Sequence, residues 1–317
     1  MASVDTTSNA GQLLAAASGG RRRLGDRVFS RTAVLAAVTI LALLAGVAIF
    51  LLSEGYPALT ASASELPGGK SFIDYVAPLA FGTVLAAALA ALVAVPLAVA
   101  AALFITHVAP PRIALTLGYL VDLLAAIPSI IYGLWGIFVL GPKMVPVMKW
   151  LEEKLGFLPF FDGPASVTGR TMLVAGLVLA VMILPIVSAV AREAFAQTPR
   201  RLQEGAQALG ATRWETIRMT VLPFGRSSVI SGAMLGLGRA LGETMAVTII
   251  LSVSGAVTFN LISQANPSTI AANIALDFPE SSGLAINALI ATGLVLFAIT
   301  LVTNMGARWI IARQEGE

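Results

Sequence analysis

Six long apolar stretches run along the chain, over residues 32–52, 78–106, 115–140, 171–191, 227–254 and 284–311, with short polar segments between them. Crossing roughly 30 Å of hydrocarbon takes about 20 mostly apolar residues, so the pattern predicts six transmembrane helices, the longer ones tilted. Pro96, Pro128 and Pro185 fall inside three of these stretches. Neighbouring helices can re-satisfy the carbonyls a proline frees, so kinks are expected here and not helix ends.

Two connecting segments carry patterns of their own. Between the third and fourth stretches, Met144, Val147, Met148, Leu151 and Leu155 recur at helical spacing, with charged residues on the other side and Trp150 near the apolar edge. That predicts a short helix lying in the outer interface. It would be either a docking surface for an external partner or an anchor, and amphipathicity alone favours the anchor.

In the segment 192–226, Thr198-Pro199 reads as a cap followed by proline at the first helical position. Leu202, Ala206 and Leu209 then share a face, and Gly210 is placed to end the helix in the left-handed conformation. Thr212 to Glu215 fits a capping box that opens a second helix, with Trp214, Ile217 and Val221 on one side and Pro223 close behind. Two short helices with a fixed corner suit a handle for a soluble partner, or a compact loop joining two spans.

Composition agrees with a membrane protein. Of 317 residues, 57% are hydrophobic and 12% charged, against about 25% charged in soluble domains. A water-soluble globule is excluded, and no periodicity or charge richness supports collagen, coiled coil or disorder. There is no cysteine, and His107 is the only histidine, which removes thiolate chemistry and most zinc and triad chemistry.

Charge distribution predicts orientation. With the N-terminus in the cytoplasm, fourteen of the twenty Lys and Arg residues lie inside, five lie outside, and Arg239 falls within a span. Both termini are therefore expected in the cytoplasm. Arg21–Arg23, an apolar run and Ala61-Ser62-Ala63 imitate a signal peptide, but the apolar core is 20 residues long, against about 7–15 in a cleaved leader. An anchored first helix is the better reading. The organisation expected is a tail over residues 1–31, a six-helix domain over 32–313 with the loop 192–226 inside it, and an end at 314–317.

Residue detail then narrows the class. Glu204-Gly205-Ala206, Gly210 and Leu222-Pro223 stand at the spacing of the EAA loop, which they resemble, of ABC-importer permeases. Gly205 replaces the usual first alanine and Thr220 the usual isoleucine. The run from Ile127 to Gly136, with Pro128, Ser129 and Tyr132, is similar to a signature of phosphate-specific transport permeases, as is the run from Gly238 to Val247. The ending Thr244-Met245-Ala246-Val247 favours the PstC-type subunit over its PstA-type partner.

The resemblance implies an all-α polytopic protein of the type I ABC-importer permease kind, half of a phosphate translocation pathway in a bacterial inner membrane. It implies a PstA-type second permease, two ATP-binding subunits and an external phosphate-binding protein, with no nucleic-acid partner. ATP and magnesium would sit on the partner subunits, and this chain would bind no cofactor. Glu204, Gly205, Ala206, Gly210, Thr212, Trp214, Leu222 and Pro223 would form the coupling surface toward the ATP-binding subunits.

Arg239 lies twelve residues into the fifth stretch, about 18 Å deep at helical rise, with Glu243 four residues later and Gly232 and Gly236 on the same side. An ionisable residue at that depth costs from roughly 2.5 kcal/mol upward. Either the two charges pair and lock the helix, or Arg239 offers a planar fork to an oxyanion while Glu243 holds the guanidinium and accepts a hydrogen bond from a protonated phosphate oxygen. Intramembrane charges favour the second, and sulfate, with no proton to donate, would be rejected. Ser129, Tyr132 and Thr244 are weaker substrate candidates, Tyr132 being as well suited to packing with a satisfied hydroxyl. Asp122 suits a structural partner for a basic group, His107 a solvated loop edge, and the polar outer loop with Asn260, Gln264, Asn266 and Asn273 has no cation to trap an anion.

Gly69-Lys70-Ser71 imitates the end of a Walker A motif, but Ser64 stands where that motif needs glycine. No ATP-hydrolysing machinery is readable, so the driving energy must come from a partner. Rival readings are a lone secondary anion transporter, a non-transporting scaffold or sensor, and the same architecture carrying sulfate or molybdate. The first predicts inverted repeats, and the two halves show no convincing one.

Overall fold

The computed structural model describes residues 24–252, 255 and 257–314, and among them the chain is helical with no strand. The helices are α1 Leu24–Thr60, α2 Phe72–Leu103, α3 Pro111–Ala125, α4 Ser129–Trp135, α5 Gly141–Leu155, α6 Met172–Ala196, α7 Arg200–Ala208, α8 Arg213–Thr216, α9 Leu222–Leu241, α10 Met245–Ile250, α11 Ile270–Asp277 and α12 Leu284–Gln314. Most of the expected tail and the residues 315–317 lie outside the described residues.

The chain divides into two units, Met1–Leu52 and Ser53–Glu317. In the first, the α1 residues 28–52 expose nearly every side chain, as an apolar helix made for lipid does. It starts earlier than the apolar run, because nothing between Leu24 and Thr32 breaks a helix.

In the second unit α6 is the central element. Alanines recur along one edge of α2, and Ala86, Ala87, Ala90, Ala94, Ala98 and Ala102 are all buried. Against α6, a Cβ on Gly225 would meet Phe195 at 2.6 Å, on Gly232 Val190 at 2.9 Å, and on Gly236 Val187 at 3.0 Å. Small residues let α9 lie directly on α6, which is how membrane helices gain packing without a hydrophobic drive.

Five helices among the described residues are long and apolar enough to cross a membrane: Val28–Thr60, Phe72–Val108, Ser129–Leu155, Met172–Ala196 and Leu284–Arg313. Two of the six expected stretches differ from their prediction. The third is not one kinked helix, because the chain leaves helical geometry between Ala125 and Ser129, with Pro128 extended at ψ 140°. From Ser129 a helical path continues through a π-helical turn at Gly136–Leu140 into α5. The segment 144–155 therefore continues the helical path from Ser129 and is not a separate short helix. Pro142 stands at the start of α5, where a missing N–H is tolerated.

The fifth stretch is also divided. α9 ends at Leu241, and Gly242, Glu243 and Thr244 intervene before α10. Pro223, by contrast, ends nothing. A π-helical turn at Ile217–Val221 joins α8 to α9 through it, so the helical path runs from Arg213 to Leu241.

Candidate functional site

The two breaks meet. α4 and α10 each begin just after one, and they pack against each other so closely that a Cβ on Gly133 would lie 2.9 Å from the Ala246 Cα. Around this crossing stand the expected residues. Ser129 opens α4 and is half-buried, while Tyr132 is buried one turn on. Glu243 and Thr244 lead into α10. Arg239 occupies the last turn of α9, and its charge reaches the Tyr132 hydroxyl electrostatically.

Arg239 is exposed and makes no hydrogen bond or ion pair among the described residues. The expected grip of Glu243 on the guanidinium is absent. Because α9 has ended, Glu243 does not sit one turn above Arg239 on a common helix. Its carboxylate is buried, and Oε1 accepts the Ala246 N–H at 3.2 Å. It acts on α10 as a capping residue does, satisfying a donor that a helix start leaves open. The glycine edge and Arg239 separate as well: Gly232, Gly236 and Ala240 are buried, whereas Ser231, Leu235, Gly238, Arg239 and Gly242 form an exposed stripe.

Tyr132 is satisfied locally. Pro128 has no N–H to give the Leu124 carbonyl four residues earlier. The Tyr132 hydroxyl donates to that carbonyl at 2.8 Å, alongside a longer bond of 3.4 Å from the Ile127 N–H. Thr244 donates its hydroxyl to the Gly242 carbonyl at 3.2 Å, and its own carbonyl accepts from the Thr248 hydroxyl at 2.8 Å. Both side chains thus shape the breaks.

The far end of α10 is held by a residue the sequence did not single out. Arg170 donates to the carbonyls of Ile249 and Leu251, at 3.4 and 3.2 Å, where a cation favours a helix C-terminus. Its partners are about eighty positions away, and no spacing could reveal them. Asn266, fully buried, accepts from the Met172 N–H at 3.0 Å and donates to the Arg170 carbonyl at 3.0 Å. The polar outer loop is therefore stitched into the fold: Asn260 accepts from Ile262 and Ser263, and Asn273 donates to the Tyr75 hydroxyl.

Asp122 pairs with Arg192 between α3 and α6, the structural partnership expected of it. His107 differs from expectation. It is half-buried and shares a 2.7 Å hydrogen bond between Nδ1 and the Thr106 hydroxyl, because the helix runs on past Thr106 and draws the ring onto it.

The loop 192–226 forms the predicted pair of short helices. α7 is preceded by Pro199 as its N-cap, one residue later than Thr198-Pro199 suggested, since the Thr198 hydroxyl makes no capping bond. Gly210 has φ +89°, with Gly210 N–H bonded to the Gln207 carbonyl at 2.9 Å and Ala211 N–H to Ala206 at 3.1 Å. These are the two bonds of a Schellman ending, and the left-handed residue favours glycine.

At α8 the capping box is complete. The Thr212 hydroxyl oxygen accepts from the Glu215 N–H at 3.3 Å, and the Glu215 carboxylate accepts from the Thr212 N–H at 2.7 Å. The backbone and then the side-chain hydrogen bond from Thr212 hold the Glu215 carboxyl below its ordinary value.

The two helices divide their apolar residues. Ile217 and Val221 are buried with Phe195, Ala191 and Ala102, rooting the loop in α6 and α2. Trp214, expected on their side, is 61% exposed, with Leu202 at 51% and Leu209 at 92%. Glu204, Gly205, Gly210 and Thr212 are exposed beside them, and Ala206 is half-buried. Thr220 donates to the Thr216 carbonyl at 2.7 Å, which resolves its hydroxyl within the helix. Leu222 is half-buried and Pro223 exposed at the root of α9.

Comparisons with known proteins follow this geometry. The sequence profile of the family described as "Binding-protein-dependent transport system inner membrane component" matches residues 108–316. A protein of Mycobacterium tuberculosis named "Phosphate transport system permease protein PstC 2" is 46% identical over 300 residues, covering 91% of this chain and 92% of its own length. The PstC of Mycobacterium leprae is 47% identical over 274 residues, covering 83% and 86%. That of Mesorhizobium japonicum is 39% identical over 306 residues, covering 92% of each.

Among solved structures, a bacterial ABC transporter involved in import of the acidic polysaccharide alginate aligns at TM-score 0.57 and 20% identity, over 91% of this chain and 99% of that one. The inward-facing MetNI methionine ABC transporter aligns at TM-score 0.53 and 15% identity, over 77% and 95%. These two likenesses concern the fold.

Proposed function

The chain belongs to the family of binding-protein-dependent inner-membrane transport components, and from that premise we propose that it is the PstC-type permease subunit of an ATP-driven phosphate importer. It is a multi-pass inner-membrane protein and a transport subunit, not an enzyme. In this reading both termini face the cytoplasm, a PstA-type permease supplies the other half of the pathway, and two ATP-binding subunits and an external phosphate-binding protein complete the complex.

The observation that carries the mechanism is the unneutralised guanidinium of Arg239 at the divided fifth stretch. A planar fork of donors binds a tetrahedral oxyanion in two-point fashion. Within the membrane, and away from bulk water, that attraction is stronger than at a protein surface. Glu243 has one carboxylate oxygen committed to Ala246, and its other oxygen has no hydrogen bond among the described residues. That second oxygen accepts a hydrogen bond from the hydroxyl of a monoprotonated phosphate and repels sulfate.

Broken helices at a midplane site give alternating access its usual form: rigid groups rock around a fixed binding point. The exposed ridge of Leu202, Leu209 and Trp214 supplies the lever. A movement imposed there by the ATP-binding subunits passes through Ile217 and Val221 into α6, and through the continuous path from Arg213 into α9, whose last turn carries Arg239. Ser129, Tyr132 and Thr244 position the two breaks around the anion.

Vesicles carrying the whole complex test the assignment. Labelled phosphate accumulates only with ATP and the binding protein, and excess sulfate does not compete. Uptake by this polypeptide alone, without nucleotide, would instead establish the lone-transporter reading.

A further inference from the structure

A second cation, Arg308 of α12, lies across a cavity from the exposed stripe of α9, toward the start of that helix. Between α9 and α12 is an open cavity of about 270 Å³, whose walls include Ser231, Leu235, Asn304, Arg308 and Ile311, and among the described residues no carboxylate lines it. Ser231 and Leu235 belong to the exposed stripe that carries Arg239. Arg239 stands two turns beyond Ser231, about 12 Å away along the helix.

Asn304 and Arg308 are one turn apart on α12, hence on one face. Neither makes a hydrogen bond or ion pair among the described residues. On another side of α12, Arg313 stacks on the Trp309 ring at 3.8 Å. Trp309 is about 100° round the helix from Arg308. Asn304 and Arg308 share the cavity with Ser231 and Leu235, so their face of α12 meets the exposed stripe of α9.

Resting on the functional reading above, we infer that Arg308, Asn304 and Ser231 form a second oxyanion station on the cytoplasmic side of Arg239, which receives phosphate before release. One tight site alone makes exit slow, whereas a second, better hydrated cation lets the anion leave in steps. Among the described residues this station has no carboxylate, so it does not distinguish phosphate from sulfate, unlike the pair Arg239 and Glu243. The discrimination belongs to the outer step, and the inner station only hands the anion on.

The test uses the whole complex in vesicles, with inorganic phosphate or sulfate added on the side of the ATP-binding subunits while ATP-driven uptake is followed. Wild-type turnover is slowed by either anion from that side. Arg308→Gln needs about tenfold more of each for half-inhibition, the loss of one charge-assisted contact. Arg308→Lys stays within about twofold of wild type, and the apparent KM for phosphate on the outer side is unchanged in both. If Arg308→Gln does not assemble, Asn304→Ala with Ser231→Ala shifts half-inhibition by about threefold.

Wild-type turnover indifferent to anions on that side overturns the inference. Unchanged half-inhibition in the variants does so too, as does an Arg308→Gln effect confined to vesicles containing anionic phospholipid, which would mark a lipid site. Absence of any ATP-driven phosphate uptake by wild type would strike the functional reading itself, a result separate from all of these.

Discussion

Glu243 turns a carboxylate oxygen to the Ala246 N–H and leaves Arg239, four residues earlier, without a carboxylate within 4.0 Å among the described residues. A like pair on an unbroken helix would be one turn apart and would neutralise itself. Ending α9 at Leu241 separates the two: Glu243 caps the start of α10, and Arg239 keeps a charge unpaired among the described residues. An intramembrane cation without a counter-charge is costly unless it faces a polar path or receives an anion there.

Glu243→Gln retains an acceptor for the Ala246 N–H but removes the negative charge. The complex is expected to assemble normally, with phosphate uptake lowered several-fold and sulfate emerging as a competitor. Competition by sulfate in labelled-phosphate uptake is the readout. Continued indifference to sulfate would show that the carboxylate plays no part in selection.

Tyr132→Phe strips the Leu124 carbonyl of its shorter hydrogen bond. A lost neutral hydrogen bond costs about 0.5–1.5 kcal/mol, so the thermal midpoint of the purified complex falls modestly. Because that hydroxyl serves the backbone, the apparent KM for phosphate should change by less than about threefold, the size of one such bond at most partly transmitted. A far larger rise in KM with unaltered stability would make Tyr132 a direct ligand.

Gly133→Val places a branched side chain where Ala246 backbone already stands at 2.9 Å from the first added carbon. Overpacking of this kind costs about 1–3 kcal/mol, and here it drives α4 away from α10. Transport is expected to fail while α7 and α8 still bind the ATP-binding subunits. Pull-down of those subunits alongside uptake separates the two effects.

How much of this was legible beforehand depended on whether the determining contacts were local. The capping box at Thr212 and Glu215 and the left-handed Gly210 rest on hydrogen bonds within a few residues, and both were readable as letters in order. Asp122 announced that it needed a basic partner, though not that Arg192, 70 positions away, would be the one. The division at Gly242–Thr244 was hidden, because it contains no proline and lies in an apolar run; a buried carboxylate capping Ala246 makes it, and burial is a tertiary fact. Pro128 was visible, but whether it kinks or parts a helix depends on who satisfies Leu124, and Tyr132 does so from beyond the break. The exposed stripe ending at Arg239 needed the neighbour α6 to define which side of α9 is covered.

Acidification gives the loop 192–226 a signature of its own. The carboxyl of Glu215 is held below its ordinary value by hydrogen bonds from Thr212. Its folded pKa is depressed, so its contribution is present above the unfolded value and is lost as pH falls through the folded one. Amide exchange at residues 212–217 is therefore expected to quicken below the ordinary carboxylate range. Thr212→Ala, which loses the cap at a cost of about 0.5–2 kcal/mol, quickens it already at neutral pH and abolishes most of the pH dependence. Exchange in that segment that ignores both acid and the substitution would contradict the capping role.

The most direct measurement is ATP-driven uptake of labelled phosphate by vesicles carrying the complete complex with Arg239→Gln, ATP hydrolysis being recorded in parallel. The account predicts that assembly and nucleotide hydrolysis persist while phosphate accumulation falls at least about a hundredfold, the charge-assisted pair being lost inside the membrane, with Arg239→Lys recovering part of it. Wild-type accumulation by a fully assembled Arg239→Gln complex would contradict it.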